Sequence, residues 1–189
     1  MVNTDSEEYA KLANAYGAVT PFIRPAELAT DASPIWKTID YTFRYFEQRR
    51  ERFDLFALVQ GTSPFTQSED IDQGVDLLAR DAATKSVLSV AEVDVPPVWC
   101  NTLDSTLSMK NFLSKEIRQK NRQELPTYYR VTGAVRIARW EQFQKNSYDW
   151  YFEDSKALIL DRGRSLDIDT EEDFEYAEFI MGRRKAAVG

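Results

Sequence analysis

The sequence predicts an α/β domain on a mainly parallel sheet flanked by helices, and three observations carry that reading. Two short, nearly continuous apolar runs, "FDLFALVQ" and "SVLSVAEV", have the composition of strands buried on both faces. Segments with apolar residues at helical spacing and acidic starts stand between such runs. Strand and helix therefore alternate along the first half, as a parallel sheet with crossover helices requires, and ligands of such sheets bind outside the carboxyl ends of the strands.

The elements follow in order. Val2 and Asn3 lead into "TDSEEYAKLANAYG", where Thr4, Asp5 or Ser6 can cap a helix, glutamates fill its first turn and Gly17 ends it. "VTPFIRPAELATD" carries two prolines and reads as irregular. In "PIWKTIDYTFRYFEQRRERF", Ile35, Ile39, Phe43 and Phe46 recur at helical spacing, which predicts a helix from about 34 to 51. The strand "FDLFALVQ" is stopped by Gly61 and Pro64. "SEDIDQGVDLLARDA" repeats the capped helix and "SVLSVAEV" the buried strand. Residues 96 to 128 break the rhythm with little periodicity and read as an excursion from the sheet, a partner-facing arm. "YYRVTGAVRIARW" resumes as a strand, "EQFQ" starts a short helix or turn, "KALILD" is a strand, and "EEDFEYAEFIMGRR" closes the chain with a helix whose C-terminal end is cationic.

Bulk properties narrow the function. The 189 residues, 43% of them hydrophobic, suffice for one domain over 1–189 with a sizeable core. A net charge of −7 repels phosphates on average, and no basic run marks a nucleic-acid groove, so a phosphorylated ligand needs local arginines or a metal ion. Cys100 is the only cysteine, which excludes an intramolecular disulfide framework and fits a reducing compartment. With no signal-like start and no stretch of membrane-spanning length, a soluble, cytoplasmic protein without a membrane partner is expected. The chain has no histidine, so Ser-His-Asp triads, Cys-His pairs and His-containing zinc sites are excluded. Any catalysis falls to carboxylates, lysine, arginine, hydroxyls and a hard metal.

Several residues can carry such chemistry. In "SLDIDTEEDF", alternation along an extended chain sends Asp167 and Asp169 to one face, with Cα atoms roughly 6.5 to 7 Å apart. One or two carboxylates with open positions suit Mg²⁺, which keeps waters and takes further ligands from substrate phosphates. The same residues also read as a helix start, with Asp169 or Thr170 as N-cap and Glu172 completing a capping box, and the two readings are compatible if Thr170 caps through Asp173 while both aspartates face the metal. Gln60, Thr62 and Ser63 stand at a strand's carboxyl end, where an amide and two hydroxyls can bond a polyhydroxylated ligand or form an ordinary turn. Arg24, followed by a proline, can contact a phosphate or a base, or make a structural salt bridge. Arg122, Gln123, Arg130 and Gly133 are further candidates, the glycine because it admits close backbone approach.

Taken in order, "NTDSEEYAKLANAYGA", "FIRPAELATD", "LVQGTSPF", "DID", "SVLSV", "RQELPTYYRVTGAV" and "SLDIDTEEDFEYAE" resemble successive motifs of the acylneuraminate cytidylyltransferases, the CMP-sialic acid synthetase family, over nearly the whole chain. The resemblance implies a Rossmann-like nucleotidyltransferase fold with a small protruding dimerisation segment at 96–128, and hence a homodimer. It implies transfer of CMP from CTP to the anomeric hydroxyl of a nonulosonic acid, with Mg²⁺ as cofactor and pyrophosphate released. By this resemblance Asp167 and Asp169 are the catalytic, metal-binding aspartates, and Arg24 with Ser33 in the stretch after it contacts the nucleotide. Gln60, Thr62, Ser63, Arg122, Gln123, Thr132 and Gly133 face the sugar.

Three departures bear on that sugar. Gly61 stands where the sialic acid enzymes usually have proline, Thr66 replaces a common arginine, and Thr132 replaces the asparagine of the usual "NGA" turn. Sialic, legionaminic, pseudaminic and other nonulosonic acids stay open, with KDO disfavoured. The family's first strand and its glycine-, arginine- and lysine-rich loop belong upstream of "NTDSEE", where this chain has only Met1 and Val2. On that reading the chain alone is expected to bind CTP weakly and to turn over little or not at all. The alternative is a truncated or non-catalytic homologue that serves as a sugar-binding or dimerisation module.

Overall fold

In chain order the elements are α1 (Glu7–Ala15), α2 (Ile35–Gln48), β1 (Leu55–Leu58), α3 (Ser68–Arg80), β2 (Ser86–Glu92), α4 (Lys115–Arg118), β3 (Tyr129–Arg139), α5 (Trp140–Lys145), β4 (Lys156–Leu160) and α6 (Glu171–Val188). This is a computed structural model, and it describes residues 1–188, with side chains to Arg184. The chain packs as two units, one made of Met1–Asp54 with Trp140–Asp149, the other of Leu55–Arg139 with the chain from Trp150 on.

In the first unit, Ser6 caps α1 by accepting the Tyr9 amide at 3.2 Å, and Gly17, at φ +85°, turns the chain away. A parallel bridge between Thr4 and Ile23 joins the segments on either side of this helix. Helix α2 ends at Gln48, short of the expected 51, because the Arg49 and Arg50 amides fold back on Phe46 and Glu47 and Arg50 takes φ +60°. Its buried face carries Thr38, Ile39 and Phe43. Phe43 stacks on Trp140 with ring centroids 3.6 Å apart and meets Phe143 and Tyr148 edge-on or tilted. The Tyr148 hydroxyl donates to Asp40, which also holds Arg44 at 2.8 Å. α2 and the α5 region are thus joined by an aromatic cluster with one charged anchor at its edge.

The second unit holds a four-stranded sheet in the order β1-β3-β2-β4. β2 pairs parallel with β4, whereas β3 pairs antiparallel with both β1 and β2. Three strands therefore run one way, as in a mainly parallel α/β sheet, and β3 runs against them between β1 and β2. β2 is buried along most of its length, as its apolar run predicts. β1 is not buried on both faces: Leu55, Phe56 and Leu58 are half-buried and Ala57 is exposed. Its position explains the difference, because β1 is an edge strand whose one ladder partner among the described residues is β3.

α3 covers the sheet at close range. A Cβ on Gly74 would sit 2.6 Å from Ile137 Cδ1, so this glycine lets the helix approach β3. Leu78 of this helix joins Val87, Ala134, Val135, Ile137, Leu158 and Leu160 of the sheet in the core. Arg139 caps the helix by donating to the Leu78 carbonyl at 2.8 Å and the Thr84 carbonyl at 3.0 Å. The stretch 96–128 stays outside the sheet and carries only the single turns Pro97–Trp99 and Arg122–Glu124 and the short α4.

Burial, and then the bond to Asp40, pushes the Tyr148 phenol from its ordinary 10.0 up to about 12. A raised folded-state pKa gives stability that is complete below the unfolded value and is lost as pH rises through the folded one. The advantage of the wild type over Tyr148→Phe in chemical denaturation should be constant below about pH 10 and shrink between there and about pH 12.

Candidate functional site

Three segments of the second unit meet around the carboxyl end of β1. The first is the loop 60–66, folded as a turn by Ser63 N donating to the Gln60 carbonyl at 3.1 Å, with Thr66 bonding back to the Ser63 carbonyl. It runs straight into α3, whose start is a capping box between Gln67 and Asp70.

The second segment is a bulge in β3. Val90 pairs with Val131 and Leu88 with Arg136, so Ser89 alone stands opposite Thr132, Gly133, Ala134 and Val135. Ser89 holds the bulge from inside. Its hydroxyl lies 2.6 Å from the Thr132 hydroxyl and accepts the Val135 amide at 2.9 Å, all three groups being buried. Gly133 is then covered by Gln60: the Gln60 amide N–H donates to the Gly133 carbonyl at 3.4 Å, and its side-chain Oε1 lies 1.6 Å from where a Cβ on Gly133 would stand. Only a residue without a side chain lets the Gln60 amide rest there.

The third segment, 165–170, is irregular and belongs to no strand, contrary to the strand-like reading of "SLDIDTEEDF". β4 ends at Leu160 and the turn Arg162–Arg164 intervenes. The segment is pinned by Arg130, which donates to the Ser165 carbonyl at 2.8 Å, and by Ile168 N, which donates to the Thr62 carbonyl at 2.9 Å. Gln60, Thr62, Ser63, Gly133 and Asp167 are thus carried on neighbouring, mutually bonded backbone. Thr170 caps α6 through Asp173, as the sequence suggests, with the Thr170 hydroxyl at 2.8 Å and the Asp169 and Thr170 amides also on that carboxylate. The Thr170 hydroxyl and then those amides hold Asp173 below its usual range.

The cap leaves the two aspartate side chains uncommitted. Asp167 is half-buried, and its Oδ1 is out of contact with solvent without a hydrogen-bond partner, while Asp169 is exposed. An orphaned carboxylate oxygen fits an oxygen-preferring cation better than it fits a finished structural contact. Among the described residues no group of three or more His, Cys, Asp or Glu could hold a metal by itself.

The remaining candidates lie elsewhere. Arg122 and Gln123 are exposed on their single turn and line a cavity of about 350 Å³ with Glu92, Val93, Leu125 and Tyr128, which does not include Gln60 or Asp167 in its lining. Arg24 and Ser33 belong to the first unit. There Arg24 makes the structural salt bridge open to it, to Asp5 at 2.9 Å, and this contact holds the Asp5 carboxyl below its ordinary value. Its Nε and the Ser33 hydroxyl are nonetheless buried without a partner. Among the described residues no helix is long and apolar enough to cross a membrane.

Sequence reasoning did not single out Ser89, Asp70 or Arg164. A serine inside an otherwise apolar buried strand was the available sign for the first. Replacing Ser89 with alanine strands the Val135 amide and the Thr132 hydroxyl in the core, and should cost roughly 1–3 kcal/mol in urea unfolding with the helical signal of the folded state unchanged.

Comparison with known proteins gives a consistent set of relatives. No family model matches the chain. It is 35% identical, over its full length and 80% of the relative, to the CMP-N,N'-diacetyllegionaminic acid synthase of Legionella pneumophila. It is 33% identical over 97% of its length to the N-acylneuraminate cytidylyltransferase of Escherichia coli O18:K1:H7, of which it spans 42%. A pseudaminic acid cytidylyltransferase of Campylobacter jejuni is 22% identical over 95% of the chain and 76% of the relative. Among solved structures, a CMP:2-keto-3-deoxy-manno-octonic acid synthetase complexed with CTP superposes with a TM-score of 0.64 at 13% identity, over 97% of this chain and 80% of that one, which establishes a shared fold.

Proposed function

Because the chain belongs to the acylneuraminate cytidylyltransferase family, we propose that it transfers CMP from CTP to the anomeric hydroxyl of a nonulosonic acid, releasing pyrophosphate and supplying an activated sugar for glycan assembly. The observation that carries this reading is Asp167, whose buried, unpartnered carboxylate oxygen is held beside the loop 60–66. Asp167 and Asp169 would hold Mg²⁺, which when bound neutralises phosphate charge in a protein whose own net charge is −7.

The chain's own groups supply position rather than strong acids or bases, which is what phosphoryl-type transfer chiefly needs. The sugar's anomeric oxygen bonds to the α-phosphorus as the bond to the pyrophosphate leaving group breaks. With no histidine in the chain, the hydroxyl proton passes to water or a carboxylate. Gln60, Thr62 and Ser63 offer the sugar an amide and hydroxyls. Gly133 seats the Gln60 amide, and Thr132 acts from within the bulge through its bond to Ser89. Arg122 and Gln123 contribute from the cavity they line. The exposed apolar residues Leu103, Leu107 and Met109 along the 96–128 excursion fit a second copy of this chain, giving a homodimer. Dependence on CTP accords with the cytoplasm.

The test is pyrophosphate release with CTP, Mg²⁺ and a panel of sialic, legionaminic and pseudaminic acids. One of these acids should support slow, metal-dependent release, and Asp167→Asn should abolish it while melting close to the wild type. Full activity in Asp167→Asn overturns the reading, and absence of release with every acid favours the non-catalytic homologue. A finer outcome concerns the Gln60 seat: Gly133→Ala should push the Gln60 amide aside and raise the sugar's KM roughly tenfold, with CTP's KM and the melting temperature little changed.

A further inference from the structure

Asp70 has no exposed surface, yet it lies far in sequence from any cation that could neutralise it. Both of its oxygens are nevertheless satisfied. Oδ2 accepts the Gln67 amide at 2.9 Å, and Oδ1 takes Arg164 Nη1 at 2.7 Å. The other side of the same guanidinium, Nε, is held by Asp161 Oδ2 at 2.6 Å. Arg164 therefore bridges the start of α3, directly after the loop 60–66, to the chain three residues ahead of Asp167.

A buried ion pair is weak grounds for stability, because desolvating two charges offsets most of their attraction; its best-attested use is to fix a register. The register at stake here is that of residues 165–168. This stretch has no ladder and is set by the guanidinium at its near end, by Arg130 on the Ser165 carbonyl, and by Thr62 on Ile168. The orphaned Asp167 oxygen lies between these restraints. We propose that Arg164 is a positioning residue for the cation site: its ion pair with Asp70 fixes the backbone that presents Asp167, and so sets divalent-cation affinity without touching the cation. The inference rests on the reading of Asp167 as a cation ligand.

Mn²⁺ serves as a paramagnetic probe, titrated into the full chain and followed by the loss of its free-ion electron resonance signal, with thermal melts on the same samples. Wild type should bind and Asp167→Asn should not. Arg164→Met should bind roughly 10–100-fold more weakly, the range seen when a group supporting a metal ligand is removed. Arg164→Lys, which keeps a charge facing Asp70 but loses the two-sided grip, should recover part of that loss. If Arg164→Met does not fold, the lysine variant decides alone, with binding several-fold weaker than wild type. Wild-type affinity in the folded Arg164 variants, while Asp167→Asn fails to bind, overturns the positioning role and leaves the ligand reading standing. Binding unchanged in Asp167→Asn, or absent in the wild type, overturns both.

Discussion

A carboxylate without access to water must be answered from within the protein, and the second unit is arranged around the answer to Asp70. The Gln67 amide and the Arg164 guanidinium reach it from opposite directions, 94 residues separating the two charges. One end of this contact starts α3, so it also fixes the helix that covers Ile137 and Leu158. The other end closes the turn after β4. Arg184 adds a second tie, stacking on the buried Phe65 ring at 4.4 Å and donating to the Gly163 carbonyl at 3.2 Å, so α6 is fastened to both the loop and the turn. Loop, helix start and post-strand turn are held together by two arginines rather than by ladder bonds.

The bulge in β3 is the complementary device. A regular antiparallel pairing would give Ser89 one partner; here it faces four residues and supplies the hydroxyl that two of them need. Opening the ladder at that point frees the Gly133 carbonyl to meet the Gln60 amide at the end of β1. A bulge bends its strand and re-aims the side chains around it. The departure at Thr132 gains a physical sense from this geometry, because its hydroxyl is turned inward to Ser89 and buried.

Much of the architecture was legible because local chemistry and long-range packing agree. α3 has a periodic apolar face and a box of capping residues, and β2 has an apolar run too dense for a surface strand. The Thr170 cap was legible too, since a threonine followed three residues later by an aspartate satisfies its own amides. Burial of β1 was not, because "LFAL" has the same composition at the edge of a sheet as at its centre and only the strand order distinguishes them. The strand-like look of "SLDID" misled for a related reason: alternation describes a chain that could pair, and nothing local says that no neighbour is offered. Arg164 with Asp70, and Ser89 with Thr132, depend on register and on contacts across tens of residues, for which a single sequence has no local signal.

The site's unused bonding capacity indicates what it waits for. Among the buried polar groups of this unit, Asp70, Ser86, Ser89 and Arg139 have partners in the interior, whereas Arg136 Nε and Asp167 Oδ1 do not. Asp167 lies on a stretch whose backbone is restrained on both sides, and on the proposed reading a cation supplies its missing bond. A flexible segment could turn the carboxylate to solvent. Here the Ser165 carbonyl and the Ile168 amide are both fastened, so the backbone that carries the carboxylate is held. That arrangement is present in the free protein and, on the proposed reading, leaves less reorganisation for the binding of a cation.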